Sequence, residues 1–383
     1  YLSVGCNSSM KQEDFTRKKL NLMIVLDMSG SMGFAFESET FGSTKMAVAN
    51  QCMVSLLNHL DEGDSFGMIA FDTEVEEICP QRIFDKSQDL SSLKENILAI
   101  KPRGGTDMHL AMTTGHKLLT KFLHTNKEYC NRELYENRMI FLTDAMPTVG
   151  QGPLGIADFG LKMTKDSIPI HTTYIGVGID FDTSVVTAIS KIPGSNYFTV
   201  QSSSEFKKRL DKDFDYMVTP LVFDLKLSIQ SNCFVIDKVI GSPEADTATG
   251  ELMKVNTLFP SKRTEQGAKG GVILVGLKPK IGADELHTDG KISNSITLTS
   301  SYKDRSGKVE TETQVVDFEN LFSIFSPEPQ YYYDNTGIHK AIVLAHYSEL
   351  LQSWVANNRF HLLPSEKESF EKMIEYLTTH SEE

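Results

Sequence analysis

The sequence predicts an α/β fold in which a doubly wound, mostly parallel sheet is joined to a second, β-sandwich domain and to C-terminal helices. Three observations carry this reading. Over residues 21–217 short apolar runs alternate with longer amphipathic stretches, the pattern of a sheet whose central strands are buried on both faces. Beyond Pro220 the runs become closely spaced and β-rich, broken by Gly, Pro, Asp and Lys clusters, which is the texture of an antiparallel sandwich. From Tyr331 onward helical periodicity returns.

The elements follow in order. NLMIVLD, SFGMIAFD, RMIFLTD and IHTTYIGVG are the strands of the first unit, and three of them end at or near an acidic residue or glycine, where strands pass into loops. Helices are expected over residues 44–60, 107–123 and 203–217; in the first, Met46, Val48, Ala49, Met53, Leu56, Leu57 and Leu60 mark an apolar face. LVFDLKLSIQ, FVIDKVIG, MKVNTLF, GGVILVGLK, SITLTSSY and ETETQVVDF read as sandwich strands. Ile338, Ile342, Ala345, Leu350 and Trp354 line one face of a later helix, and a final helix is expected over residues 366–377. The expected units are residues 21–218 (α/β), 219–330 (sandwich) and 331–383 (helices). Residues 1–20 contain a strand-like start, Tyr1 to Val4, with no sheet of its own, so this segment is expected to pair with the sandwich and leave the α/β domain inserted in it.

Composition narrows the function. A chain of 383 residues, 40% hydrophobic, can build at least two cores. Its 38 basic and 51 acidic residues leave a net charge of -13 without a long basic run, which argues against nucleic acid as a partner. The strongest apolar runs, LMIVL and VILVGL, are strand-length and fall far short of the roughly 20 residues of a membrane-crossing helix. The chain begins at Tyr1, which fits either removal of a signal or pro-segment or a place within a longer chain. Five scattered cysteines, Cys6, Cys52, Cys79, Cys130 and Cys233, form no CxxC pair, and Cys52 is expected as a buried thiol on an apolar helix face. One sequon, Asn7-Ser8-Ser9, suits a secreted protein. The expected location is extracellular or cell-surface, with an intracellular one left open.

The chemistry lies in DMSGSM, Asp27 to Met32, directly after the first buried strand. Asp27, Ser29 and Ser31 are spaced two apart, so a loop leaving the strand can turn three oxygen side chains to one side, with Gly30 permitting the bend. The loop sits beyond the carboxyl end of a strand, where open parallel sheets bind ligands. A second loop supplies Thr106 from GGTD, and a third supplies Asp144 at the end of RMIFLTD. Two carboxylates and three hydroxyls suit a hard ion, Mg²⁺ or else Ca²⁺ or Mn²⁺, rather than zinc. Three neutral donors leave the dication much of its charge, which favours an Asp or Glu carboxylate from a protein partner at an open position; a calcium cage would supply more carboxylates.

DxSxS after the first strand, GGTD and a strand-end Asp resemble the metal-ion-dependent adhesion site of von Willebrand factor A domains, over residues 21–217. The resemblance implies the Rossmann-like fold of that family and assigns Asp27, Ser29, Ser31, Thr106 and Asp144 as metal ligands, the aspartates directly or through water. The following region resembles, by domain order and texture, the region after the A domain in inter-alpha-trypsin inhibitor heavy chains.

Plainer readings apply elsewhere. DxSxS alone is also a serine-rich helix cap or turn. Asp107 is expected to complement a helix dipole, Asp180 and Asp182 to cap the next helix, and Asp72 to sit in a turn. Phe34, Phe36 and Phe41 are expected to pack locally, the alternative being a hydrophobic rim beside the metal. His109, His116 and His124 form no HExxH, and no GxSxG elbow, Walker loop or dinucleotide fingerprint follows a strand. The leading function is therefore a non-enzymatic, cation-dependent adhesion or assembly module. The alternative is a scaffold subunit of a permanent assembly with a purely structural metal; an enzyme or a covalent-transfer substrate comes third, lacking an active-site constellation. Oligomeric state is not expressed in the sequence.

Overall fold

The computed structural model describes residues 1–5, 15–35, 44–144, 152–178, 188–189, 191–200, 202–242, 244–260, 272–280, 294–318, 336–356, 371–372 and 374–375. After a short strand β1 (Leu2–Val4), one sheet is built from β2 (Lys19–Asp27), β3 (Ser65–Phe71), β4 (Val75–Ile83), β5 (Tyr135–Thr143), β6 (His171–Val177) and β7 (Asn196–Val200), in the order β4-β3-β2-β5-β6-β7. Every pairing is parallel except that of β4, which returns antiparallel beside β3 at the edge.

The continuous apolar run of β2 has a direct structural cause. Side chains alternate between faces, so Leu20, Leu22, Ile24 and Leu26 enter one core while Met23 and Val25 enter the other. The first core is closed by α1 (Lys45–Leu56), through Met46, Ala49, Met53 and Leu56, by α2 (Ser91–Leu98), through Leu93 and Ile97, and by Phe214, Met217 and Val218. The second is closed by α3 (Met108–Thr125), through Ala111, Met112, Leu119 and Leu123, and by α4 (Pro153–Lys165), through Ile156 and Met163. Phe214, Met217 and Val218 lie on α5 (Ser203–Val218), the last helix of this unit. Each fully buried Leu, Ile or Met contributes about 1.5–3 kcal/mol of apolar transfer, so a sheet covered on both faces anchors its central strand ends rigidly.

The remaining described strands form two antiparallel sheets. One has the order β10-β8-β12-β13, from β8 (Val222–Ser231), β10 (Glu251–Leu258), β12 (Asn294–Lys303) and β13 (Val309–Phe318). The other has the order β1-β11-β9, with β9 (Phe234–Ile240) and β11 (Ile273–Pro279). Leu227, Ile229, Leu252 and Ile296 of the first sheet meet Val4, Phe234, Ile273 and Val275 of the second in a shared core. Leu2 and Val4 pair with Val275 and Ile273, which gives the first strand its sheet. On the outer face, Ile338, Ala341, Ile342 and Ala345 of α6 (Thr336–Ala356) pack on Leu274 and Ile240. Leu350 on the same helix is half-buried, while the side chain of Trp354 and most of the helix expected over residues 366–377 lie outside the described residues.

Entry to and exit from the α/β unit lie together: Phe15 stacks on Tyr216 with ring centroids 4.6 Å apart, and Arg17 pairs with Asp61, Asp64 and Asp215. Cys52, Cys79, Cys130 and Cys233 are free thiols, Cys52 buried on α1, and Cys6 lies outside the described residues. Among the described residues no helix is long and apolar enough to cross a membrane.

At the amino ends of β5 and β6 a buried charge cluster faces the second unit. The Arg138 guanidinium, fully buried, donates to Glu136 Oε1 at 2.6 Å, to Thr173 Oγ1 at 3.0 Å and to the Gly194 carbonyl at 3.3 Å. It lies over the ring of Phe259 at 5.4 Å, and His171 Nδ1 is 2.8 Å from the same Glu136 oxygen. Across the boundary, Thr257 Oγ1 accepts from the Gly194 amide and Asn256 Nδ2 donates to the Lys191 carbonyl. Burial alone would raise the Glu136 carboxyl, but His171 and Arg138 outweigh it and hold the group at about 2. Since the folded value lies below the ordinary 4.5, Glu136 stabilises the fold above that pH, and its contribution is lost as pH falls from 4.5 through about 2. Urea unfolding between pH 6 and 2 should therefore show a steep acid limb that Glu136→Gln flattens; equal slopes in the two proteins would contradict this assignment.

Candidate metal centre

Five strands of the six-stranded sheet run parallel, and from β2 the chain steps to β3 on one side while β5 lies on the other. The crevice beyond the carboxyl ends of β2 and β5 is thus the topological switch point, where such sheets bind ligands. Asp27 closes β2, and Asp144 follows β5 directly.

The loop after Asp27 tightens into a 3₁₀ turn, Gly30–Gly33, anchored by the buried Met32. Ser29 precedes this turn in an extended conformation, yet its side chain makes no capping bond. Its hydroxyl lies 3.1 Å from Ser31 Oγ, and Ser31 Oγ donates to Asp144 Oδ1 at 3.0 Å. The plain helix-cap reading of these serines therefore does not describe them; α1 is capped instead by Thr44, whose Oγ1 accepts from the Ala47 amide.

The GGTD loop is stitched to the first loop by its backbone. The amide of Arg103 donates to the Met28 carbonyl at 2.6 Å, and that of Gly30 to the Gly104 carbonyl at 3.1 Å. Gly104 has φ +67, and a Cβ there would stand 2.8 Å from Asp72 Oδ2, so both its conformation and its space call for glycine. Thr106, 2% exposed, follows in this loop. Asp107 then caps α3 by accepting from the Leu110 amide, a capping role beyond the dipole effect expected of it. Asp72 accepts from the Glu74 amide, as a turn residue does, and also from Arg103 Nε at 3.0 Å.

Asp27 is completely buried, and its carboxylate accepts from the Ser29 amide at 2.8 Å and from Thr143 Oγ1 at 2.5 Å. Burial, helped by the charge of Asp144, pushes the Asp27 carboxyl up to about 7 against the opposing bonds from Ser29 and Thr143. The group is short of positive charge, so an ion beside it fits. Among the described residues no three His, Cys, Asp or Glu side chains gather to hold a metal; the candidate donors are the oxygens of Asp27, Ser29, Ser31, Thr106 and Asp144, a set that would suit a hard dication.

The structure thus links Ser29, Ser31 and Asp144 in one chain of hydrogen bonds, with Asp27 bonded to Ser29, and places Thr106 in the loop joined to theirs. Sequence reasoning missed two participants. Thr143 reads as an ordinary β-former in an apolar strand, yet it orients Asp27. Lys45, 4% exposed, sets its ammonium 3.2 Å from Asp144 Oδ2. Its signal was its place: a lysine opens an otherwise apolar helix face at the end where the dipole disfavours cations. Phe34, expected to pack locally, is 67% exposed just after the 3₁₀ turn. Phe36, Phe41, Asp180 and Asp182 lie outside the described residues.

A sheet in this order with helices on both faces is the fold of a von Willebrand factor type A domain, and residues 22–147 match the sequence model of that family. The chain therefore carries such a domain, and domains of this type commonly bind a divalent metal. Relatives among characterised proteins include heavy chains: inter-alpha-trypsin inhibitor heavy chain H2 of Mus musculus is 22% identical over 246 residues, covering 64% of this chain and 24% of that one. Heavy chain H1 of Mesocricetus auratus is 22% identical over 219 residues, covering 56% and 22%. The chain thus spans about a quarter of the length of the curated relatives it matches. A solved von Willebrand factor type A protein from Catenulispora acidiphila superposes with a TM-score of 0.52 at 14% identity, covering 89% of this chain and 75% of that one. At that identity the likeness concerns fold alone.

Proposed function

We propose that the chain is a divalent-cation-dependent protein-binding module, non-enzymatic, in which an ion held by Asp27, Ser29, Ser31, Thr106 and Asp144 receives an Asp or Glu carboxylate from a partner. The observation that carries it is the cluster of side-chain oxygens at the switch point, where Ser29, Ser31 and Asp144 are hydrogen-bonded in a chain beside the fully buried Asp27 carboxylate. Mg²⁺ is the preferred ion, with Ca²⁺ or Mn²⁺ as substitutes. Neutral hydroxyl donors leave the ion's charge directed outward, and an arriving carboxylate gains a charge-assisted bond in a partly desolvated crevice. Domains of this type typically mediate protein–protein binding, which agrees with the reading. The proposed units are residues 21–218 as the binding domain, inserted between residues 1–20 and a sandwich of residues 219–330, with residues 331–383 as helices. The sequon at Asn7 favours an extracellular or cell-surface location.

The test is native purification of the full chain in Mg²⁺ and in excess chelator, followed by binding of each co-purified protein at several salt concentrations. A metal-bridged partner is lost in chelator and when one of its carboxylates becomes an amide. Partners retained equally in both buffers would instead support a permanent scaffold with a structural metal. Surface attraction alone predicts a different salt response: at net charge -13, an acidic partner is repelled and rising salt strengthens contact by screening.

Phe34 supplies the proposed apolar rim beside this ion. Phe34→Ala should weaken partner binding by about 1–2 kcal/mol, as loss of a modest interface anchor does, while calorimetric Mg²⁺ affinity stays the same. Unchanged partner affinity would remove Phe34 from the contact.

A further inference from the structure

The ammonium of Lys45 has no part in a five-oxygen metal site, yet it lies inside it. Lys45 is the first residue of α1, and its Nζ stands 3.2 Å from Asp144 Oδ2, the side chains being 5% and 0% exposed. The other oxygen of Asp144 accepts from Ser31, so the carboxylate is divided between the hydroxyl chain and a lysine. This position is costly in two ways: a buried cation loses hydration, and a helix amino terminus repels positive charge. A compensating contact must hold it there.

Space has been left for its stem. Gly178, just beyond the carboxyl end of β6, has φ +96, and a Cβ at that residue would lie 2.9 Å from Lys45 Cε. Its amide is fixed to the Val200 carbonyl at 2.9 Å, and the Lys45 amide to the Phe34 carbonyl at 2.9 Å. The lysine is thus led between two fixed backbones to one carboxylate of the cluster, rather than lying across the surface.

We propose that Lys45 is a tethered counter-cation that competes with the divalent ion for Asp144. Without a divalent ion its ammonium neutralises Asp144 and keeps the three loops together; an arriving ion displaces it. Affinity is thereby set lower than the five oxygens alone would give, and the site fills only above a threshold concentration. The inference rests on the proposed metal site, and it makes Lys45 a device for occupancy control rather than a ligand.

The test compares wild type, Lys45→Met and Lys45→Gln as full chains, by calorimetric titration with Mg²⁺, Mn²⁺ and Ca²⁺ and by thermal melting in chelator. Both variants should bind at least one of these ions at least tenfold more tightly than wild type, and both should melt at lower temperature when cation-free. Equal affinity in all three proteins would leave the metal site standing and overturn the competition. Weaker binding in the variants would also overturn it, making Lys45 a residue that positions Asp144. Binding of no ion by any of the three would defeat the metal-site reading itself. Should neither variant fold, amine acylation of Lys45 in the wild-type chain, followed by mass spectrometry, replaces them. Saturating Mg²⁺ should raise its labelling at least threefold, and an unchanged rate would overturn displacement.

Discussion

Asp27→Asn is expected to abolish divalent-cation binding and, at the same time, to raise the melting temperature of the cation-free protein at pH 8. The two effects share one cause. The carboxylate of Asp27 is wholly buried, and burial lifts its folded value from 3.8 to about 7. A raised carboxyl penalises the fold when ionised: the penalty is absent below 3.8, grows as pH rises, and is complete above about 7. A shift of this size corresponds to about 4 kcal/mol, which the neutral amide removes while keeping the shape. The proposed ion would need the charge that the cation-free fold would be better without. Calorimetry with Mg²⁺, and melting in chelator at pH 5 and pH 8, decide the matter. Wild-type affinity in the variant would remove Asp27 from the site, and a lower melting temperature at pH 8 would show that its ionised form is already compensated.

The second large effect is expected far from that site. Arg138→Met should destabilise the protein by about 3–5 kcal/mol, because removing one partner leaves the buried Glu136 carboxylate without its shortest charged hydrogen bond. The double variant, with Glu136→Gln added, should regain much of that loss, since a buried ion pair replaced as a unit by uncharged groups is often nearly neutral. Urea unfolding at pH 7 measures both, and a loss below 1 kcal/mol in the single variant would deny the cluster its structural role. Metal affinity should not change in either protein, because the cluster lies at the opposite ends of the strands.

Central strands were legible because burial on both faces leaves an unbroken apolar run, as in Leu22 to Leu26. The strand Val75–Ile83 escaped notice because it is an exposed edge, with Glu76 and Glu77 adjacent so that no apolar alternation shows, and it carries Pro80, which an edge tolerates. Helix α2 buries only Leu93 and Ile97, too few to mark a period. The five proposed oxygen donors stand out in the sequence because each follows a recognisable strand or sits where a helix begins. Lys45 and Thr143 do not, since their roles depend on partners 99 and 116 residues distant. Glu136 and Arg138 carried a local hint: two opposite charges, two apart in a strand that buries both faces, must meet on one side of the sheet. Their third partner, His171, lies 35 residues away from Glu136, and nothing local announces it.

The stacked rings of Phe15 and Tyr216, with the Arg17–Asp215 pair beside them, have a consequence for transplantation. A module whose two ends touch, inserted as proposed, asks its host for little more than one opened loop, because the ends need not be brought together from afar. Joining those ends should give a free-standing domain, and opening the chain elsewhere should give a circular permutant, without disturbing the sheet. In evolution, the same geometry would let a module of this kind enter or leave a β-sandwich by recombination within a single connection, carrying its switch-point crevice intact to a new host.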